Sequence, residues 1–310
     1  MLVVHGYRDV PPEARGAALA IGNFDGVHRG HQALLRAAAE VGRELGAAAG
    51  ALIFEPHPRA FFHPEEPHFR LTPLPQKLSL FEAAGLDLAV VLPFDAELAA
   101  LTAEEFIARI IVGALAARHV VIGHDFYFGR NRGGTPDTMR EAGARDGFGV
   151  TVIPPVAEDG EVFSSSSTRL HLAQGDVRGA ARLLGRKWSV AGQVVGGAKR
   201  GTGLGFPTAN IPLPKGTSLG HGIYAVRVRI GNEHHDGAAY LGTRPTYDNG
   251  MPVLEVFLFD FDGDLYGRTI EVEFIDFIRA DRKFHSSEEL VVQMQIDIAR
   301  ARDILAAEPG

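Results

Sequence analysis

A short apolar run, Ala17–Ile21, passes directly into the glycine-rich turn of Ile21 to His31, IGNFDGVHRGH, and then into a helical pattern. Leu34, Leu35, Ala38, Val41 and Leu45 repeat at spacings of three, four and seven, which places them on one helix face. A strand, a glycine turn and a helix in that order leave free backbone N–H groups at the helix start, where the helix dipole is positive. Gly22, Gly26 and Gly30 allow the backbone to bend and to approach a ligand. His28 and His31, three residues apart at the helix start, are placed to face one phosphate chain and to donate hydrogen bonds to a leaving pyrophosphate. A bare HxxH pair also occurs as surface or core filler and as half of a metal site. The glycine spacing, the preceding strand and Asp25 favour the phosphate reading.

GNFDGVHRGH resembles the HxGH signature of the nucleotidyltransferase superfamily, in the form found in the bacterial bifunctional riboflavin kinase/FMN adenylyltransferase (FAD synthetase) family. The resemblance implies that Gly22, Phe24, Asp25 and Gly30 contact nucleotide, with His28 and His31 catalytic. It extends over nearly the whole chain, through further motifs in family order.

Alternating strands and helices predict a parallel, doubly wound sheet for the first half. The predicted elements are strands at Ala51–Phe54, Leu88–Leu92, His119–Ile122 and Val150–Ile153, with helices near Gln76–Ala84, Ala103–Leu115 and Thr135–Ala144. No Rossmann GxGxxG is present in this half. After the second strand, EPHP reads as a rigid extended loop, because each proline disfavours helix before it. By resemblance His57, Pro58 and Phe62 border the flavin, although Phe61 and Phe62 also read as core packing. The proline-rich stretch from His63 to Pro75 is a long loop.

Gly123–Gly134, GHDFYFGRNRGG, follows a strand and resembles a family element beside ATP and flavin. It assigns Asp125 to nucleotide and Phe128 to flavin; a solvated loop is the alternative. FSSSSTRLHLAQGDV resembles SSTxIRxxLxxGDV. Ser164, Ser165 and Ser166 fall on S-S-T, so serine replaces threonine at 166, and Thr168 replaces an aliphatic residue. Hydroxyls at a helix start cap N–H groups and bind phosphate oxygens. Ser165 and Ser166 are therefore nucleotide-binding candidates, and Arg169 a catalytic one that stabilises triphosphate charge.

From Trp188 onward the pattern changes to short strands and glycine turns, which predicts a small antiparallel β-barrel with a C-terminal helix. The boundary is expected near 186, giving an adenylyltransferase domain over 1–186 and a riboflavin kinase domain over 187–310. GGAKRGTGLGFPTANI nearly matches a Walker P-loop, but Thr202 stands where the lysine belongs. It matches the riboflavin kinase motif instead, which implies nucleotide contacts at Gly197, Gly203, Gly205, Thr208 and Asn210. The last two offer oxygen ligands to Mg²⁺. Glu255 stands at the family's catalytic-base position; an outward glutamate in an alternating strand is the other reading. Asp260, Asp262 and Asp264 resemble part of a calcium loop, but a hairpin turn fits the flanking strands better. Arg279, in FIRADRKF, is a flavin-binding candidate by resemblance. Leu290, Met294, Ile298 and Leu305 should pack a final helix onto the barrel.

The implied function is ATP-dependent phosphorylation of riboflavin to FMN, then adenylylation of FMN to FAD. Riboflavin, FMN, FAD, ATP, ADP and pyrophosphate are the expected partners, with Mg²⁺ as cofactor. Three rivals remain: one live domain only, a flavin-binding protein without turnover, and another HxGH transferase. The net charge of −7 argues against a nucleic-acid binder. The absence of cysteine excludes thiolate catalysis and suits a cytoplasmic protein. The N-terminus lacks a signal-peptide core, and no apolar run reaches the roughly 18–20 residues of a membrane helix. Self-association is left open.

Overall fold

The computed structural model describes residues 1–196, 206–214, 216–243 and 252–308. Two compact units divide the chain, Met1–Ser165 and Ser166–Gly310.

The first unit is built on six parallel strands: β1 (Leu2–His5), β2 (Ala18–Ile21), β3 (Ala49–Glu55), β4 (Leu88–Pro93), β5 (His119–Gly123) and β6 (Gly149–Ile153). Their spatial order is β1-β4-β3-β2-β5-β6. Strand alternation divides the apolar side chains between the two faces. Leu19, Ile21, Leu52, Val90 and Leu92 enter one core, with Phe106, Ile110 and Phe128. Ala20, Ala51, Ile53, Ala89 and Val91 enter the other, under Leu34, Leu35 and Ala38 of helix α1 (Arg29–Leu45). The chain winds from β2 through β3 to β4, then returns to place β5 on the other side of β2. The sheet therefore switches direction between β2 and β5. In open α/β sheets ligands bind at such a point, outside the carboxyl ends of the strands. The turns after β2 and β5 both begin there.

Three short helical elements adjoin this edge: α2 (Pro58–Phe62), α3 (Leu74–Ala83) and α4 (Ala96–Ala100). EPHP is extended only as far as His57; Pro58 then opens α2, because proline suits a first helical position and His57 Nδ1 accepts the Arg59 N–H at 3.1 Å. The predicted helix at 103–115 begins as α5 (Ala103–Phe106) and continues through Ile107–Ala114 in wider π turns. Periodicity did not signal this, because Ile107, Ile110 and Ile111 still fall on one buried side. Strand β1 was missed: it is only four residues long and pairs solely with distant β4. Helix α6 (Pro136–Asp146) and a small hairpin, β7 (Ala157–Glu158) with β8 (Glu161–Val162), complete the unit.

The second unit starts with helices α7 (Ser165–Ala173, whose first residue closes the first unit) and α8 (Val177–Leu184). Six antiparallel strands follow: β9 (Ser189–Gln193), β10 (Ala209–Pro212), β11 (Gly222–Ile230), β12 (Glu233–Thr243), β13 (Pro252–Leu258) and β14 (Thr269–Ala280). They are ordered β10-β13-β12-β11-β14-β9. A bridge from Val195 to Asn210 brings the two ends together, so the sheet is a nearly closed barrel. Trp188, Tyr224, Val226, Leu254, Val256 and Phe274 fill the buried side of the strands. The last helix, α9 (Ser287–Ala307), covers the outer face, with Ile298, Ala301 and Leu305 packed on Ala225, Phe257 and Ile275.

Candidate active sites

In the first unit the site begins where β2 runs out. The Gly22 N–H still extends the sheet, donating to the Leu52 carbonyl at 3.2 Å. The backbone then enters the left-handed region at Phe24 (φ +48°), Gly26 (φ +87°) and Val27 (φ +44°). For residues with a side chain such a conformation costs about 1–3 kcal/mol each and persists only where neighbours hold it. Asp25, buried, supplies one hold, its carboxylate accepting the N–H groups of Leu71 and Thr72 at 3.3 and 3.1 Å. Its carbonyl accepts the Ser165 hydroxyl at 2.8 Å, which ties the serine motif to the histidine motif.

His28 is the N-cap of α1 and accepts the His31 N–H on Nδ1 at 3.3 Å. A neutral His28 accepting there carries its proton on Nε2, which makes Nε2 a donor. The rings of His28 and His31 stack with centroids 3.6 Å apart, and Phe24 meets His31 edge-on at 5.2 Å. Gly30 makes the stack feasible: a Cβ there would stand 3.1 Å from the His28 ring and from the Phe163 carbonyl. Burial, then the nearby His28 ring, which would repel a second imidazolium, and the charge of Lys77 push the His31 pKa well below its ordinary value, so the ring is neutral near pH 7. Part of His31 reaches the surface, but its Nδ1 is buried without a partner, as is Asn23 Oδ1. Two buried polar atoms left open beside a phosphate-type turn suit a polar ligand.

His57, Pro58 and Phe62 follow the carboxyl end of β3. Phe62 is 58% exposed and meets Phe61 and Phe94 edge-to-face at 5.2 and 5.6 Å. It is therefore not core packing. Asp125 is exposed on the turn after β5, whereas Phe128 is buried between Phe106 and Phe126. Phe128 thus supports its loop from below. Ser166 is exposed and Arg169 half-buried on α7, within the second unit.

In the second unit the pairing register does the assembly. Asn210 lies opposite Glu255, Glu255 opposite Tyr240, Tyr240 opposite Ile223, and Ile223 opposite Arg279. Directly paired residues project from the same sheet face, so three predicted site residues share one row on the barrel's outer side. Asn210 is nearly buried, and its Nδ2 donates to the Thr208 carbonyl at 3.3 Å. Arg279 is gripped by buried Asp297 of α9, through Nε at 3.0 Å and Nη2 at 2.7 Å. Gln293 completes the grip, donating to Asp297 Oδ1 at 2.8 Å. Gly197, Gly203 and Gly205 lie outside the described residues. Asp260 pairs with Arg302 at 2.8 and 2.9 Å.

Sequence reasoning missed Lys77, Tyr240 and Asp297. Two of them carried a signal: each is a charged residue on an apolar helix face, Lys77 one turn from Phe81 and Asp297 between Met294 and Ala301.

One unit stacks two histidines at a helix start on a doubly wound sheet, and the other sets an amide beside a carboxylate on a barrel. This defines a two-domain phosphoryl- and nucleotidyl-transfer enzyme. Residues 10–167 match the FAD synthetase family and residues 184–305 the riboflavin kinase family. The bifunctional riboflavin kinase/FMN adenylyltransferase of Pseudomonas fluorescens is 41% identical over 99% of this chain and 98% of its own. The proteins of that name from Escherichia coli K12 and Bacillus subtilis are 39% and 35% identical, over 97% and 95% of this chain and 96% and 94% of theirs. The chain belongs to the bifunctional riboflavin kinase/FMN adenylyltransferase family. A solved structure described as a macrolide-efflux protein from Streptococcus pneumoniae has the same fold, with a TM-score of 0.86 and 29% identity over 98% of this chain and 99% of its own. Among the described residues no helix is long and apolar enough to cross a membrane.

Proposed function

We propose that the two halves divide the family's two reactions, an adenylyltransferase over 1–186 and a riboflavin kinase over 187–310. One observation carries the division: each half has its own set of facing polar groups, His28 on His31 in one and Asn210 across from Glu255 in the other.

In the kinase half Glu255 accepts the proton of the ribityl 5′-hydroxyl of riboflavin as that oxygen attacks the γ-phosphorus of ATP; FMN forms and ADP leaves. Thr208 and Asn210 fit Mg²⁺, a hard cation that takes few protein oxygens and keeps its other positions for water and phosphate. The Asn210 amide nitrogen is committed to the Thr208 carbonyl, which leaves Oδ1 as the group's acceptor. When bound, Mg²⁺ neutralises and orients the ATP phosphates. Arg279, held by Asp297, takes flavin from the same row, and the motif that contains Gly197, Gly203 and Gly205 takes the nucleotide.

In the other half the phosphate of FMN attacks the α-phosphorus of ATP; FAD forms and pyrophosphate leaves. No protein nucleophile is needed. His28 and neutral His31 donate hydrogen bonds to the charge that builds on the leaving group, and Arg169 retains its motif's role toward the triphosphate. Gly22, Phe24, Asp25, Gly30, Asp125, Ser165 and Ser166 form the nucleotide side. His57, Pro58 and Phe62 form the flavin side, with Phe128 beneath its loop. We place both reactions in the cytoplasm, where ATP is supplied, and assign no nucleic-acid or membrane partner.

The test is to incubate the protein with riboflavin, ATP and Mg²⁺ and to separate the flavins over time. FMN should rise first and FAD follow. FMN without FAD would retire the adenylyltransferase assignment, and flavin bound without conversion would retire both.

A further inference from the structure

A lysine lies buried beneath the histidine turn. Lys77, on α3, is 2% exposed, and its Nζ donates to the Asn23 carbonyl at 2.7 Å. One turn further along the same helix face, Phe81 meets Phe24 edge-on at 5.5 Å, and Phe24 in turn meets His31 at 5.2 Å. The segment leading into α3 holds the next part of the turn, because Leu71 and Thr72 donate to Asp25. Asn23 and Asp25 are thus both fixed from one side, and the residue between them, Phe24, is the one driven to φ +48°.

We propose that Lys77 is a positioning residue for adenylyl transfer: by holding the Asn23 carbonyl it keeps the turn in the shape that stacks His31 on His28. The proposal rests on the adenylyltransferase reading of this site. A neutral isostere would fill the same volume, but it would leave a buried carbonyl without its charge-assisted partner. The lysine's charge also faces Asp25 of the turn, Arg70 of the preceding loop, Glu55 at the end of β3 and His31 of α1. Burial is the largest influence and lowers its pKa to about 8; Asp25 and Glu55 oppose that shift, and Arg70 adds to it. The grip is therefore charged at neutral pH and weakens as pH rises through that value.

The test uses the full chain, because riboflavin phosphorylation in the second unit reports on the same sample. Lys77→Met should lower kcat for FAD formation from FMN about 100-fold, as expected when a geometry-setting contact is lost. The KM for FMN should move less than about threefold, as expected where only transition-state alignment is lost. Phosphorylation of riboflavin should be unchanged, and Lys77→Arg should restore much of the lost rate. In the wild type, FAD formation should fall above about pH 8 while FMN formation does not; in Lys77→Arg that alkaline fall should disappear. A Lys77→Met protein as active as wild type overturns the proposal. If Lys77→Met does not fold, the wild-type profile decides, and FAD formation that stays level to pH 9.5 overturns the proposal. His31→Ala is run in parallel: if it too forms FAD normally, the fault lies with the site reading rather than with Lys77.

Discussion

Asn210 stands directly across from Glu255 in the register of β10 and β13, so an amide and a carboxylate leave the barrel side by side on one face. The same row continues through Tyr240 and Ile223 to Arg279. On the proposed reading, this pairing sets the base beside a group that would hold the cation, so Glu255 could take a proton from the attacking hydroxyl without moving.

Glu255→Gln keeps the size of this side chain and one acceptor oxygen, and removes its basicity. Riboflavin phosphorylation should fall about 10²–10⁴-fold in kcat, the usual contribution of a general base. FAD formation from supplied FMN should be unaffected. Equal loss of both activities in a folded variant would refute the separation of the two sites.

His31→Ala should give the reverse pattern, with FAD formation abolished and FMN formation intact, read by chromatography of the flavins. The neutral state of His31 adds a pH signature. Its folded pKa lies well below 6.5, so below pH 6.5 the unfolded chain takes up this proton first. Stability contributed by the neutral ring is present above pH 6.5 and is lost as pH falls toward the folded value. Denaturant melts of wild type and His31→Ala from pH 7.5 to 5 should therefore converge toward low pH.

Lys77 predicts opposite pH trends for activity and stability. Its pKa falls from 10.5 to about 8 on folding, so between these values the unfolded state binds more protons and stability rises with pH. The gain from this one group is on the order of 3 kcal/mol across that window, at 1.36 kcal/mol per pKa unit. It should appear as a difference between wild type and Lys77→Met melts. FAD formation in the wild type should decline over the same range.

Arg279→Ala should destabilise the barrel as well as weaken flavin binding, because Asp297 is buried and loses its charged partner. Removing one member of a buried pair costs about 3–5 kcal/mol. Arg279→Ala with Asp297→Asn should recover part of that stability but none of the flavin affinity. A thermal melt beside a riboflavin titration separates the two effects.

A fragment from residue 166 to 310 should phosphorylate riboflavin and melt higher than one from 187 to 310. Helix α8 packs along β14 and buries Val177, Ala180, Leu183 and Leu184. Arg178 pairs with Asp276 at 2.9 Å and with Glu308 at the end of α9. Starting at 187 removes all of these, a loss of about 3 kcal/mol or more from the apolar burial alone. Equal melting of the two fragments would show that α7 and α8 contribute nothing to the barrel's stability.

Local chemistry was legible in the chain. The glycine spacing before His28 and His31, the apolar runs of the first sheet and the alternating strands of the second act over a few residues, so the sequence by itself determined them; the turn of helix that Pro58 opens reads in sequence as extended loop. It also determined the order of the motifs, and with that the family. Only the tertiary structure decided what those motifs meet. Asn210, Glu255 and Arg279 lie far apart in sequence and share a row because four strand pairings have one register and not another. Lys77 and Asp297 show in sequence only as charged residues on apolar helix faces, and become anchors because the packing around them excludes water and supplies a carbonyl to one and a guanidinium to the other. Phe62 and Phe128 read alike as aromatic residues on loops, yet one is exposed and the other belongs to the core. Register and burial are set by which distant segments pair, and a sequence window contains only one partner of each pair.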